Sequence, residues 1–358
     1  MKYSWRFLEP IKNKCRVVFA GSNFQAGLPF TLEALSSHND HRLKEVAEII
    51  HAPTKDILFQ EAKSAHVVVP FMEPLSEEFF QPNTTPQLRL AIQYGVGLER
   101  VNIDAATNAG VAISNVPADG SKNAEATSEH AIFLTMSLLR HAKYDLNRRF
   151  MERQLGGIPI PRTLYNKRVT VVGYGAVGRV LSRYLVTMGA QKVMVVRNRC
   201  WSLSQDSDDD NGIEKMNNLE DALPETDILI MACAVTPETV HMINEDRIAL
   251  LPRGSCIVNV GRGPLVEYHA ILNAIKTGHV GGFASDVGVG HPTKVSEPWD
   301  PSDELSKCEN VIFTPHAGGY CDYPFEHMSH KIVDAVNAIV DGKPPPVWVN
   351  QQRRSMMH

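Results

Sequence analysis

Residues 167–178 read KRVTVVGYGAVG, and RVLSRYLVTM follows through residue 188. The first six residues are a β-branched run of strand character. The last ten place Val180, Leu181, Tyr184, Leu185 and Met188 on one face of a helix. Between them lie Gly173, Tyr174, Gly175, Ala176, Val177 and Gly178. Strand, glycine turn and amphipathic helix in that order form one unit of a parallel α/β sheet. This is also the setting in which G-x-G-x-x-G has a mechanism. Gly173 permits a tight turn, Gly175 lets the backbone approach a pyrophosphate, and Gly178 allows close helix–strand packing. The helix start then offers free N–H groups and partial positive charge to an anion. A plain strand–helix turn is the bland alternative.

The rest of the chain repeats the alternation. Residues 16–20, 65–69, 88–93 and 111–115 read as strands, with a helix over 43–50. Further strands are expected at 192–196, 227–231, 256–260, 283–287 and 311–315, and a helix at 328–339 that ends at KPPP. Near-continuous Val and Ile runs suit strands covered by helices on both faces. The segment 128–140 (SEHAIFLTMSLLR) is apolar on nearly every side and is expected as a buried helix. The acidic, serine-rich residues 202–212 are expected to be a solvated loop.

The 358 residues suggest two domains. Hydrophobic residues at 43% and charged residues at 21% fit a packed globular chain, and a net charge of −4 gives no sign of a nucleic-acid or membrane surface. No apolar run reaches the length of a membrane span, and the N-terminus lacks a secretory h-region. Its basic character faintly resembles an organellar address, but the strand at 16–20 begins too early to leave room for one. The six cysteines contain no C-x-x-C pair and no metal-ligand spacing. They are expected to be reduced thiols of a cytoplasmic protein.

About twenty residues past the glycine turn, an NAD site would place Asp or Glu on the ribose 2′-hydroxyl. This chain reads Val196, Arg197, Asn198, Arg199. Two guanidinium groups suit a 2′-phosphate, so NADP(H) is favoured and NAD(H) remains an option. A solvated loop that happens to hold two arginines is the alternative.

From about residue 93 to 337, the chain resembles the D-isomer-specific 2-hydroxyacid dehydrogenases. The resemblance is carried by QYGVGLERVNID (93–104), NAEATSEHAIFLTMSLLR (123–140), VVGYGAVG (171–178), TPETVHMIN (236–244), IVNVGRGPLVE (257–267) and EPWDPSDELSKCENVIFTPHAGG (297–319). It implies two α/β lobes, Rossmann-like and flavodoxin-like, each with a parallel sheet, and an active site in the cleft between them. Residues 1–122 with 320–358 would form the substrate domain and 123–319 the dinucleotide-binding domain. It further implies a hydride transfer between NAD(P)H and a small 2-keto or D-2-hydroxy acid, and a homodimer joined through the cofactor domain.

The same resemblance assigns the catalytic residues. The N-x-x-R-G segment 259–263 supplies Arg262, whose bidentate guanidinium can hold a carboxylate and polarise the adjacent carbonyl. The P-H-x-x-G segment 315–319 supplies His316 as proton donor and acceptor. A glutamate should orient that histidine. The family spacing after Asp286 would put it at His291, whereas counting back from His316 reaches Glu297, nineteen residues earlier. Glu297 is preferred, with an insertion of about six residues in a loop that tolerates one. Val96 and Gly97, in the GVG turn, are assigned to the substrate carboxylate. Thr239, Val260, Gly261, Asp286 and Gly319 join the glycine turn as cofactor contacts, Asp286 at the nicotinamide carboxamide. The usual Pro-Leu-Thr is replaced by Ala234, Val235, Thr236. Two rivals on the same fold are a formate dehydrogenase, against which EPWDP argues, and an NAD(H)-responsive corepressor that need not turn over.

Overall fold

Among the described residues, each Val- and Ile-rich run pairs with another, and every strand–strand pairing is parallel. The computed structural model describes residues 5–22, 27–39, 42–71, 73–118, 121–144, 146–154, 160–197, 201, 211–289 and 300–351. Its backbone gathers into two compact units, Met1–Lys122 with Asp322–His358, and Asn123–Cys321.

In the first unit, β1 (Cys15–Ala20), β2 (Ala47–Ala52), β3 (Val67–Pro70), β4 (Leu90–Gln93) and β5 (Ala112–Asn115) lie in the order β2-β1-β3-β4-β5. This is the flavodoxin-like order. Alternate strand residues serve opposite faces. Val17, Phe19, Val67, Val69, Leu90 and Ile92 pack under α1 (Leu28–Ser37) and the C-terminal helix, α12 (Asp322–Val340). Val18, Val68, Ala91 and Ile113 pack on the other side with α3 (Lys55–Ala62) and α4 (Ile103–Asn108). Residues 43–50, expected to be helical, divide instead into a short helix α2 (Arg42–Val46) and the edge strand β2. The reason is topological: β1 offers a free edge, and β2 pairs with it along its whole length.

Among its described residues, the second unit has seven strands in the order β12-β11-β10-β9-β6-β7-β8. They are β6 (Arg168–Val172), β7 (Lys192–Val196), β8 (Ile213–Met216), β9 (Ile228–Met231), β10 (Ser255–Asn259), β11 (Val280–Ser285) and β12 (Val311–Phe313). The first six in chain order follow the dinucleotide-binding arrangement, with β6 at the centre and the direction of winding reversed between β6 and β9. Helices α5 (Asn123–Leu139) and α7 (Ala176–Thr187) cover one face, where Leu134, Leu138, Leu181 and Leu185 meet Val169, Val171, Val193 and Ile230. Ile248 of α9 (Glu245–Leu250) and Ile271 and Leu272 of α10 (Tyr268–Lys276) cover the other, against Met194, Leu229, Ile257 and Phe283. The short helices α6 (Leu146–Met151), α8 (Leu219–Ala222) and α11 (Glu304–Lys307) lie in the connections. The helix expected at 128–140 is present as α5, but it is not buried all round: Phe133 is 56% exposed. No helix among the described residues is long and apolar enough to cross a membrane.

Candidate active site

One row of paired residues marks the carboxyl edge of the second sheet: Met216, Val196, Val172, Met231, Asn259, Ser285 and Phe313. The chemistry-bearing residues read from this part of the sequence follow just past that row. Gly173 succeeds Val172, Arg197 succeeds Val196, Val260 to Arg262 succeed Asn259, Asp286 succeeds Ser285, and His316 lies three residues beyond Phe313. Ligands of open α/β sheets bind at this edge, where the winding reverses.

The glycine turn has the geometry that its three glycines require. Gly173 adopts φ +103°, and a Cβ there would meet the Ala232 and Cys233 backbone at 2.8 Å. At Gly178 a Cβ would collide with the Gly173 carbonyl. Around Gly175, by contrast, a Cβ would meet nothing within 4 Å. That residue is the N-cap of α7 and supplies no side-chain cap, so the first N–H groups of the helix face outward without one. Two closed glycines and one open glycine at a helix start fit a pyrophosphate. Ala176 and Val177 form the first turn of that helix.

Past β7, the Arg197 guanidinium lies 4.1 Å over the Trp201 ring, and Lys215 on β8 lies 5.6 Å from the same ring. Trp201 donates its indole N–H to the Met216 carbonyl at 3.0 Å and meets Tyr174 edge-on at 5.6 Å. Arg179 stacks on Tyr174 at 4.5 Å. Three cations on two aromatic rings therefore gather at the end of β7, where the sequence lacks an acid. Asn198 and Arg199 lie outside the described residues, and Trp201 and Lys215 carry no motif that would have singled them out.

Arg262 is presented by a turn that Asn259 closes. The buried Asn259 amide accepts the Gly261 N–H at 3.0 Å and donates to the Arg262 carbonyl at 2.8 Å. Gly261 lies against Cys233, whose carbonyl a Cβ would meet at 2.7 Å. Burial pushes the Cys233 thiol up to about 11, so it stays a neutral group, 3.9 Å from the Met242 sulfur. Arg262 is half-buried and bonds the Gly261 carbonyl at 2.8 Å.

His316 has φ +56°, in the left-handed region that residues other than glycine enter only when held. The holding group is Asp286, 3% exposed. Its carbonyl takes the His316 N–H at 2.8 Å, and its carboxylate takes the N–H groups of Ala317 and Gly318 at 2.8 Å each. Thr314 and His130 complete the shell. Burial works against the charge of this carboxylate, but the hydrogen bonds from His130, Thr314 and Gly318 prevail and hold it below the usual range. The side chain assigned to the nicotinamide carboxamide is thus engaged in shaping the turn of His316. Gly319 closes that turn against Asn123, which a Cβ would strike.

The remaining assignments are Thr239, the glutamate partner of His316, and the GVG turn. Thr239 is buried, and its hydroxyl donates to the Ala234 carbonyl at 3.0 Å and accepts the Thr236 N–H at 2.7 Å. Its hydroxyl thus helps to close its own loop. Glu297 and His291 both lie outside the described residues. In the first unit, Gly95 adopts φ +138°, the Asn115 amide donates to the Val96 carbonyl at 2.8 Å, and Val96 and Gly97 follow β4 at the carboxyl edge of that sheet.

The model of the D-isomer specific 2-hydroxyacid dehydrogenase NAD-binding domain matches residues 132–318, more than half of the chain. The chain belongs to the D-isomer specific 2-hydroxyacid dehydrogenases. Within that family it is similar to the glyoxylate reductase of Pyrococcus furiosus, 29% identical over 306 residues that cover 83% of this chain and 86% of the relative. The glyoxylate reductase of Thermococcus kodakarensis is 27% identical over 336 residues, covering 90% and 96%. Among solved structures, D-lactate dehydrogenase of Aquifex aeolicus, complexed with NAD and lactic acid, superimposes with a TM-score of 0.70 at 26% identity, over 91% of this chain and 96% of that one. The apo D-lactate dehydrogenase of Escherichia coli shares the fold, with a TM-score of 0.77 over 93% and 99% at 22% identity.

Proposed function

We propose that this dehydrogenase reduces a small 2-keto acid with a nicotinamide cofactor, and in reverse oxidises the D-2-hydroxy acid, with NADP(H) favoured over NAD(H). The observation that carries the reading is the common edge: the open Gly175, Arg262 and His316 all follow carboxyl ends of strands in one parallel sheet. The glyoxylate reductases and the lactate-bound relative act on, or hold, acids of this class.

When bound, the cofactor supplies or accepts the hydride. The Arg262 guanidinium pairs with the substrate carboxylate and draws electron density from the neighbouring carbonyl oxygen. The His316 imidazole delivers a proton to that oxygen as it gains charge, and removes it in the reverse direction. Glu297, read from sequence spacing, is assigned to orient His316, and the Val96 and Gly97 amides to the substrate carboxylate. The preference for NADP(H) rests on Arg197 and Lys215 gathered on Trp201, with no acid at Val196. The exposed Phe133 of α5 suits a contact with a second copy of the chain, and the buried thiols of Cys15 and Cys256 suit a reducing, cytoplasmic setting.

The test is a panel of 2-keto acids (glyoxylate, hydroxypyruvate, pyruvate, phenylpyruvate) assayed with NADH and NADPH in parallel. Turnover of at least one acid, faster with NADPH, is expected. Cofactor binding without turnover of any acid would favour the corepressor reading instead.

A further inference from the structure

The network around Asp286 extends beyond the turn it holds, to a histidine on another element. His130 sits on α5, with Nε2 2.9 Å from the Thr314 hydroxyl and 3.3 Å from Asp286 Oδ1. The Thr314 hydroxyl is itself 2.5 Å from Asp286 Oδ1. A threonine hydroxyl has one proton to give. The ionised Asp286 has none, so that proton lies toward the carboxylate and the Thr314 oxygen accepts from His130. Nε2 of His130 therefore carries a hydrogen. The result is a directed chain: His130 donates to Thr314, Thr314 donates to Asp286, and Asp286 accepts the N–H groups of Ala317 and Gly318.

Packing supports the same connection. A Cβ on Gly318 would lie 2.9 Å from Asp286 Oδ2 and 3.5 Å from the His130 ring, so the turn rests on both residues. The Phe133 ring lies 5.6 Å from the imidazole, one helical turn along α5.

We propose that His130 is a positioning residue, acting through Thr314 and Asp286 to hold the left-handed turn from which His316 reaches the substrate. It touches no reacting atom. The inference rests on the reading of His316 as the proton donor, and it adds a control point on a helix that the catalytic motifs do not include. Without the donor, Thr314 is free to rotate its hydroxyl away, Asp286 loses one of its fixed partners, and the turn at φ +56° gains room to relax. A small displacement of a catalytic group lowers kcat far more than it alters cofactor binding.

The experiment compares His130→Phe, which keeps a ring without a donor, with His130→Gln, which keeps an N–H donor, and with Thr314→Val, which removes the relay. His316→Ala is the control. For His130→Phe and Thr314→Val the expected result is a fall in kcat of about 10- to 100-fold, with the KM for NADPH within about twofold of wild type. His130→Gln should recover kcat to within about threefold. Should His130→Phe fail to fold, Thr314→Val with His130→Gln still decides the matter. If the two donor-removing variants keep kcat near wild type while His316→Ala is inactive, the inference is overturned and the function stands. Equal losses in His130→Phe and His130→Gln would also overturn it, because the donor would then not matter. Full turnover by His316→Ala would overturn the underlying reading, and the inference with it.

Discussion

The main-chain N–H of His316 donates to the carbonyl of Asp286 at 2.8 Å, so the residue just past one strand sets the backbone of a residue just past the next. The Asp286 carboxylate continues the grip through Ala317 and Gly318. Asp286→Asn keeps the volume but removes the charge and an acceptor. We expect it to destabilise the fold by about 2 kcal/mol, the scale of losing a hydrogen bond to a buried charged group, and to lower kcat. The effect depends on pH. Asp286 is held below its ordinary value of 3.8 in the folded chain, so its contribution is present above 3.8 and is lost as pH falls through the lower folded value. Urea unfolding of both proteins between pH 6 and pH 3 should show their stabilities converging at the acid end.

The glycine turn yields a paired prediction, since Gly175 and Gly178, three residues apart, should fail in different ways. Gly178→Ala puts a methyl group into the Gly173 carbonyl and should cost about 1–3 kcal/mol in stability as well as weakening NADPH binding. Gly175→Ala faces open space and should fold with wild-type stability, yet bind NADPH at least tenfold more weakly, because its methyl group occupies the approach to the helix N-terminus. Thermal denaturation and fluorescence titration separate the two. Equal cofactor affinity in Gly175→Ala and wild type would contradict the assignment.

Cofactor choice is tested at the end of β7. Arg197→Ala and Lys215→Gln should each lower kcat/KM for NADPH by about 10-fold, the scale of removing one charge-assisted phosphate contact. Both should leave NADH within about twofold. Loss of both cofactors in parallel would show that the arginine–tryptophan stack serves the fold and not the 2′-phosphate.

Much of this architecture was legible in the sequence where burial is continuous. β6, β7, β9 and β10 are Val- and Ile-rich runs covered on both faces, and their composition announces them. Two of the edge strands, β2 and β8, were not legible for the converse reason. β2 (AEIIHA) fully buries only Ala52, and β8 (IEKM) buries none of its residues, so neither carries a continuous apolar run. In β2 the spacing of apolar residues mimics a helix, and only the open edge of β1 decides otherwise. At the candidate site, Arg262 and His316, which both lie past the carboxyl edge of the second sheet, are read from local motifs. His130 and Thr314 are not, because they meet Asp286 across 156 and 28 positions respectively, and no periodicity records such a contact. The loop-closing bonds of the Thr239 hydroxyl are likewise not recorded in the sequence, since a threonine that closes its own loop reads like any other.

In the first unit, Tyr94 ties β4 to α12. Its buried hydroxyl lies 2.9 Å from the Ser329 hydroxyl and donates to the Phe325 carbonyl at 3.1 Å. Tyr94→Phe should cost about 1–2 kcal/mol, because buried partners are left unpaired while the ring still fills its place. Chemical denaturation reads the loss, and an unchanged midpoint would contradict the role given to that hydroxyl.

The most direct measurement is keto-acid reduction by His316→Ala beside wild type, with NADPH affinity measured on the same samples. The account predicts unchanged NADPH binding, within about twofold, and a loss in kcat of about 10²- to 10⁴-fold, the usual worth of a positioned proton donor. Wild-type turnover by the variant would contradict it.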